Sequence, residues 1–374
     1  MAILSTDLST LFPVFQAHRD GARPLVMATI VGTAGSTYRK AGARMLLEHS
    51  GETTGILGGG CFEGDLAEHA AEALSTGRSR VIEYDMRGDD DLIWGLGLGC
   101  NGLVRILLQP LRPANAYQPF GFLFATMKAH RSGVLATVVG GPADLVGAAL
   151  GADRDGTQDL GLPPDEWPEL VAEATSRRSG RSGCLAHESA AGPVDVFYDV
   201  IRPAPHLLLL GAGPDALPVA TLARQLCWRV SVADHRSAWV KPDRFPPGCE
   251  VFATEPVALA GNVKLDSISA AVVMSHSFNA DADYLRVLAQ SPPDYVGLLG
   301  PAARRDALLE GLDAEGRRRL ADCARGPVGL DLGGRSPQAI ALSLIAEIQS
   351  VLCERDARPM DERLRPASRQ HAAG

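Results

Sequence analysis

What the chain lacks narrows its role first. Its 7 cysteines are odd in number and scattered, and no Cys-x-x-Cys pair or His/Cys cluster marks a zinc site, so free thiols in a reducing compartment are expected. No apolar run approaches the ~18 residues of a membrane span. The opening MAILSTDLSTLFPVFQAHRDG has no basic segment followed by a long apolar core, which speaks against a signal peptide and makes a cytoplasmic location the expectation. Positive charge is not in excess: 36 Lys and Arg face 44 Asp and Glu, a formal net charge of −8. That balance excludes a general nucleic-acid or anionic-membrane binder but leaves room for an anionic small ligand in a local basic pocket. With 46% hydrophobic and 21% charged residues over 374 positions, the composition is that of a soluble globular protein too long for one core.

The chain is organised around Gly55 to Asp65, GILGGGCFEGD. Here the run Gly58, Gly59, Gly60 ends on Cys61 where an apolar strand gives way to a helix. Residues without Cβ let the backbone approach a ligand and aim N–H groups at an anion, and the helix start adds partial positive charge. The same field favours a thiolate at Cys61, the form that attacks sulfur or binds soft metals; the alternative is a tight turn with a buried thiol.

An amphipathic helix with Leu8, Leu11, Phe12 and Phe15 on one face opens the chain, and a buried strand over 24–31 follows. That strand feeds GTAGSTYRKAGARMLL, where Gly35, Ser36 and Thr37 can donate hydrogen bonds and Arg39, Lys40 and Arg44 bring positive charge, a set that suits a phosphate or another oxyanion. A hairpin strand over 43–48 and a strand over 53–57 then lead into the glycine run, so two glycine-rich loops are expected on one edge. A helix from Phe62 to Gly77, a strand at Val81–Tyr84 and the acidic RGDDD precede WGLGLGCNG, a second glycine-rich segment carrying Cys100, and the strand GLVRILLQPLRP. Residues 133–145 and 192–204 echo 24–37 and 102–114, a sign of internal duplication. Between the echoes the pattern reads as a loop, a helix around Trp167–Ala174 and a flexible basic stretch.

From His206 a continuous apolar strand runs into Gly211-Ala212-Gly213, then a helix, then a second strand ending in Asp234, the order of a dinucleotide-binding β-α-β unit. Strands at Val251–Ala253, Ala270–Met274 and Tyr295–Leu299 alternate with helical patterns, as a doubly wound parallel sheet requires. The fold class is therefore α/β: an N-terminal mixed α/β domain over 1–200, a Rossmann-like domain over 201–350, and a polar tail over 351–374. Gly211, Gly213 and Asp234 are candidates for NAD(P), although Pro214 lacks an N–H and Asp215 sets a carboxylate where a pyrophosphate would lie.

Together these segments resemble the XdhC/CoxI family of accessory proteins for molybdenum hydroxylases such as xanthine dehydrogenase and carbon monoxide dehydrogenase. The resemblance rests on GSTYRKAGARMLL with GILGGGCFEGD, on GLGLGC, on HLLLLGAG with Asp234-His235-Arg236, on VMSHSFNAD with DYVGLLGP, and on PVGLDLGGRSPQAIALSLIAEI. It implies a cofactor chaperone rather than a turnover enzyme. Such a protein binds molybdenum cofactor, as molybdopterin or its dinucleotide form, supports sulfuration with a cysteine desulfurase, and passes the cofactor to a hydroxylase client. It further implies Cys61 as the sulfur or metal contact, with Cys100 second, and the glycine loops with Arg39 or Arg44 as the phosphate holders. Tyr38 stands where the family pattern has proline, Pro214 where it often has histidine, and Asn101 where it has glycine; the Pro214 change weighs against a nucleotide role for the second domain.

Two other readings stay open at this point. An NAD(P)-dependent oxidoreductase would use the Rossmann domain, with His276 and Asp281 as an acid/base pair. A sulfur-relay enzyme would carry a persulfide on Cys61. A homodimer is the expectation for a soluble two-domain chain.

Overall fold

A computed structural model describes residues 6–60, 62–87 and 102–360. Contacts divide the chain at Ala204/Pro205 into two compact units.

The first unit is built twice from one plan. Helix α1 (Thr6–Asp20) leads into a meander of β1 (Leu25–Gly35), β2 (Arg44–Glu48) and β3 (Thr53–Gly55); α2 (Glu63–Thr76) follows, then β4 (Arg80–Asp85) and β5 (Gly102–Leu111). The plan repeats with α3 (Phe120–Lys128), β6 (Gly133–Gly140), β7 (Ala149–Asp153), β8 (Gly156–Leu160), α4 (Pro168–Ser176), β9 (Gly183–Ser189) and β10 (Gly192–Ile201). The two sheets have matching strand orders, β3-β2-β1-β5-β4 and β8-β7-β6-β10-β9. The echo in the sequence is thus a duplication of topology. Its two halves share a core in which Val31 and Leu107 of one sheet meet Val139 and Phe197 of the other. Beside it, Phe12 of α1 packs edge-on against Phe124 of α3, ring centres 5.0 Å apart.

The middle of the chain departs from its sequence reading. The expected loop after residue 150 is the β7–β8 hairpin, turned by Asp153, which accepts the N–H of Asp155 at 2.8 Å, and by Gly156 at φ 131°. The polar strand β8 has no hydrophobic alternation because four of its five residues face solvent. The expected flexible basic stretch is also ordered. Arg177 pairs with Glu173 and lies over the Tyr198 ring, and Arg178 donates to the Asp153 carbonyl at 3.0 Å.

The second unit holds β11 (His206–Leu210), α5 (Ala216–Gln225), β12 (Arg229–Asp234), β13 (Cys249–Ala253), α6 (Leu259–Asn262), β14 (Ala270–Val273) and α7 (Phe278–Leu288). It continues with β15 (Tyr295–Leu298), α8 (Ala302–Glu310), α9 (Ala314–Leu320), β16 (Ala324–Arg325) and α10 (Pro337–Leu352). The sheet is six-stranded, ordered β13-β12-β11-β14-β15-β16, and parallel throughout. Strand β11 is apolar on both faces because both are covered: Leu207 and Leu209 pack with α5 and α10, Leu208 and Leu210 with α7 and α8. Helix α10 starts as its Ser-Pro pair requires, with Ser336 accepting the Ala339 N–H at 3.2 Å and Pro337 in the first turn. This is the Rossmann-like doubly wound sheet that the strand pattern predicts.

Candidate functional site

Strand register brings the glycine-rich segments of the first repeat to one end of its sheet. Gly35 at the end of β1 pairs with Gly102 at the start of β5, Gly55 at the end of β3 pairs with Met45 near the start of β2, and Asp85 at the end of β4 pairs with Leu103. The GST loop and the glycine run therefore leave the edge at which β4 ends and β5 begins. Gly102 shows how close the approach is. A Cβ there would lie 2.5 Å from the Ser36 carbonyl oxygen and 2.7 Å from the Thr37 methyl, so only glycine fits between β5 and the loop. Cys61 and Cys100 themselves lie outside the described residues.

Within the loop the Thr37 hydroxyl donates to the Arg39 carbonyl at 3.0 Å, and Lys40 Nζ donates to Thr37 Oγ1 at 3.1 Å. Ser36 and Lys40 are exposed, and Arg39 is half-buried. In the glycine run Gly60 takes φ 95°, and none of the described residues lies within 4 Å of where its Cβ would be. Gly59 and Gly60 are both exposed. Gly58 differs from its neighbours: its N–H donates to Glu63 Oε1 at 3.1 Å, while Phe62 N–H donates to Oε2 at 3.2 Å. Glu63 thereby satisfies amides at the start of α2, and Gly58 is left as a packing residue, since a Cβ there would strike the Phe62 ring at 2.8 Å. Phe62 stacks on Tyr84 with ring centres 4.8 Å apart. The Tyr84 hydroxyl donates to Asp65 at 2.6 Å; burial first, then the Asp65 carboxylate, pushes its pKa up.

Arg44, expected among the phosphate holders, is committed inside the protein instead. It is buried on β2, its guanidinium bonded to Asp199 of β10 at 2.5 Å and to the Gly42 carbonyl at 3.2 Å, with side-chain exposures of 4% for Arg44 and 9% for Asp199. A partner 155 positions away in sequence has claimed its charge. Lys40 remains as the exposed cation of the loop.

In the second unit the Gly211-Ala212-Gly213 turn lies where the strand order reverses, between β11 and β14. Gly211 has φ 134°, and a Cβ would sit 2.4 Å from the Met274 carbonyl oxygen, so this glycine is needed by the fold itself. Gly213 is under no such constraint; His276 at 3.9 Å is its nearest neighbour. Asp234, the acid expected to meet a ribose, is fully buried and committed: it accepts the Ala212 N–H at 2.8 Å and is clamped by Arg236 Nε and Nη2 at 3.0 and 2.8 Å. That corrects its reading as a nucleotide ligand. Burial raises the Asp234 pKa, but the Arg236 and backbone hydrogen bonds outweigh it and hold the carboxyl below its ordinary value. A depressed folded-state pKa gives stability that is present above the unfolded value and lost as pH falls through the folded one. Asp234→Asn should therefore flatten the acid limb of unfolding below the ordinary aspartate range while costing stability at neutral pH, as measured by denaturant midpoints across pH.

His276 and Asp281 do not form the expected acid/base pair. Asp281 is buried, bonded to the Ser275 hydroxyl at 2.5 Å and to Arg304 at 2.7 Å. His276, at φ 62°, instead reaches Asp215 at 3.4 Å. Among the described residues no three His, Cys, Asp or Glu gather as a metal site, and no helix is long and apolar enough to cross a membrane.

The chain is similar to known proteins in both units. Residues 18–85 match the model of the XdhC and CoxI family, and residues 207–348 that of the XdhC Rossmann domain. A Bacillus subtilis protein named as a probable xanthine dehydrogenase subunit is 32% identical over 327 residues, 86% of this chain and 92% of that protein. The Escherichia coli molybdenum cofactor insertion chaperone PaoD is 23% identical over 352 residues, 94% of this chain and 90% of its own. A crystal structure of a xanthine dehydrogenase from Bacillus halodurans superposes with a TM-score of 0.75 at 26% identity, covering 96% of this chain and 99% of the other.

Proposed function

The chain belongs to the XdhC and CoxI family, and from that membership we propose that it is a chaperone that carries molybdenum cofactor to a molybdenum hydroxylase of the xanthine dehydrogenase type. The observation that carries this reading is the convergence at Gly102: the GST loop and the glycine run leave one sheet edge, with exposed Gly59, Gly60, Ser36 and Lys40 among them. Backbone amides and a lysine suit the phosphate of a molybdopterin, which is cargo here, not a resident group. Thr37 orients Lys40, and Arg39 adds a second cation to the loop. Glu63 holds the glycine run in shape from behind. We assign Cys61, which follows Gly60 directly, as the soft ligand for molybdenum or its sulfur, and as the acceptor of sulfur from a cysteine desulfurase.

The NAD(P) reading lacks a comparable support, since the ribose-seeking acid is tied to Ala212 and Arg236. The test is mass spectrometry of the protein after incubation with a cysteine desulfurase and cysteine. Wild type is expected to gain one sulfur on the Cys61 peptide and Cys61→Ala none. Equal labelling of both proteins would remove Cys61 from the sulfur step.

A further inference from the structure

The second repeat keeps the place that the proposed cargo site occupies in the first, but with different chemistry. Its β8–α4 loop corresponds to the glycine run: Trp167 is the residue before α4 as Phe62 is the residue before α2, and buried Leu162 precedes Trp167 by the interval that separates buried Leu57 from Phe62. In that register Pro163 and Pro164 replace Gly58 and Gly59, and Glu166 replaces Cys61. The β8–α4 loop, the β6–β7 loop through Leu145 and the β9–β10 turn through Ala191 line an open cavity of about 720 Å³. Equivalent connections of the first repeat carry its glycine-rich segments.

The walls state what the cavity excludes. Leu145, Leu162, Trp167 and Leu170 make an apolar lining, and Glu166, Glu169 and Glu188 stand around it, exposed. None of these carboxylates makes a hydrogen bond or ion pair among the described residues, whereas the nearby Glu173 is paired with Arg177. Among the described residues no basic side chain lines the cavity. A phosphate-bearing or carboxylate ligand would meet repulsion here, and the prolines have removed the amides that could hold it. A cation is attracted, and the half-buried indole of Trp167 offers it a π face. Exposed ion pairs contribute little, so a bare solvated cation gains little; a charge whose stem and neighbours also cover the apolar wall gains more.

We propose that this cavity is a second binding site, for an arginine or lysine side chain flanked by apolar residues on a partner polypeptide. The duplication has then given one unit two pseudo-equivalent sites of opposite charge preference. The site stands independently of the cofactor reading, since none of its residues belongs to the first repeat.

The test titrates the full chain with acetyl-Leu-Arg-Leu-amide, acetyl-Leu-Gln-Leu-amide, acetyl-Leu-Glu-Leu-amide and butylguanidinium. Indole fluorescence is read against Trp167→Phe, so that the other tryptophans are subtracted. The arginine peptide is expected to bind about ten-fold tighter than the glutamine peptide and to lose about that factor when Glu166, Glu169 and Glu188 are all replaced by Gln. The replaced positions are exposed, and an unchanged melting temperature verifies the fold. Equal affinity for the arginine and glutamine peptides, indifference to the triple replacement, or no Trp167-dependent signal with any peptide would overturn the proposal. Butylguanidinium binding as tightly as the arginine peptide would overturn the polypeptide source and assign the site to a small cation.

Discussion

Replacing Arg44 by Ala is expected to destabilise the first unit by about 3–5 kcal/mol, read as a lower urea midpoint with little change in slope. Arg44 and Asp199 are buried, and the pair spans the two repeats from β2 to β10. Taking two charges out of water costs several kcal/mol each, and their mutual attraction together with surrounding hydrogen bonds offsets it. Here Gly42 and Ser182 supply those bonds, with Ser182 Oγ donating to Asp199 Oδ1 at 3.1 Å. Removing the guanidinium alone leaves the buried Asp199 carboxyl without its countercharge, with the Ser182 hydroxyl as a hydrogen-bond partner. The paired replacement Arg44→Met with Asp199→Leu should recover most of the loss, because two apolar side chains need no compensation there. A change below about 0.5 kcal/mol for Arg44→Ala, the size of an ordinary surface substitution, would return this arginine to the set of ligand contacts.

Gly102→Ala is expected to weaken molybdenum cofactor binding at least about ten-fold and to cost about 1–3 kcal/mol in stability. The added methyl would lie 2.5 Å from the Ser36 carbonyl oxygen and 2.8 Å from that of Ala34. Both are backbone atoms, so no rotamer change relieves the clash; β1 and β5 must part at Gly35 and Gly102, and the GST loop moves with them. A merely structural glycine would give the stability loss without the binding loss beyond the unfolded fraction. Measuring both quantities on the same preparation separates the two outcomes, and unchanged affinity in the folded fraction would show that the loop's position does not matter to the ligand.

The parts of this molecule that the sequence disclosed are those where local pattern and final environment agree. Strand β11 is apolar at every position after His206 because both faces of a parallel sheet are covered, and the glycine turn and Asp234 follow at Rossmann spacing. What the spacing cannot show is the direction in which a side chain is used. Asp234 stands where a ribose ligand would, yet it turns inward to Ala212 and Arg236. Arg44 sits in a basic loop sequence, but its partner is contributed by the other repeat. Gly58 belongs to the glycine run and is nevertheless explained by Phe62 and Glu63 packing against it. The echoes at 133–145 and 192–204 mark the duplication, but the elements of the second repeat between them were hidden for a further reason. Its strand β8 is a polar edge and its loop carries prolines in place of glycines, so neither alternation nor composition marks it as the counterpart of the first. The strand order extends the kinship from the echoing strands to the whole repeat.

The central claim is that the cofactor is held by the loops of the first repeat and not by the Rossmann turn. It is tested most directly by equilibrium binding of molybdenum cofactor to wild type, Lys40→Glu and Asp215→Ala. Lys40 is exposed beside Thr37, and Asp215 lies at the mouth of the Gly211–Gly213 turn facing His276. The expected result is a loss of about ten-fold or more in affinity for Lys40→Glu, with Asp215→Ala unchanged. Unchanged affinity for Lys40→Glu together with altered affinity for Asp215→Ala would place the cofactor in the second unit and contradict the account.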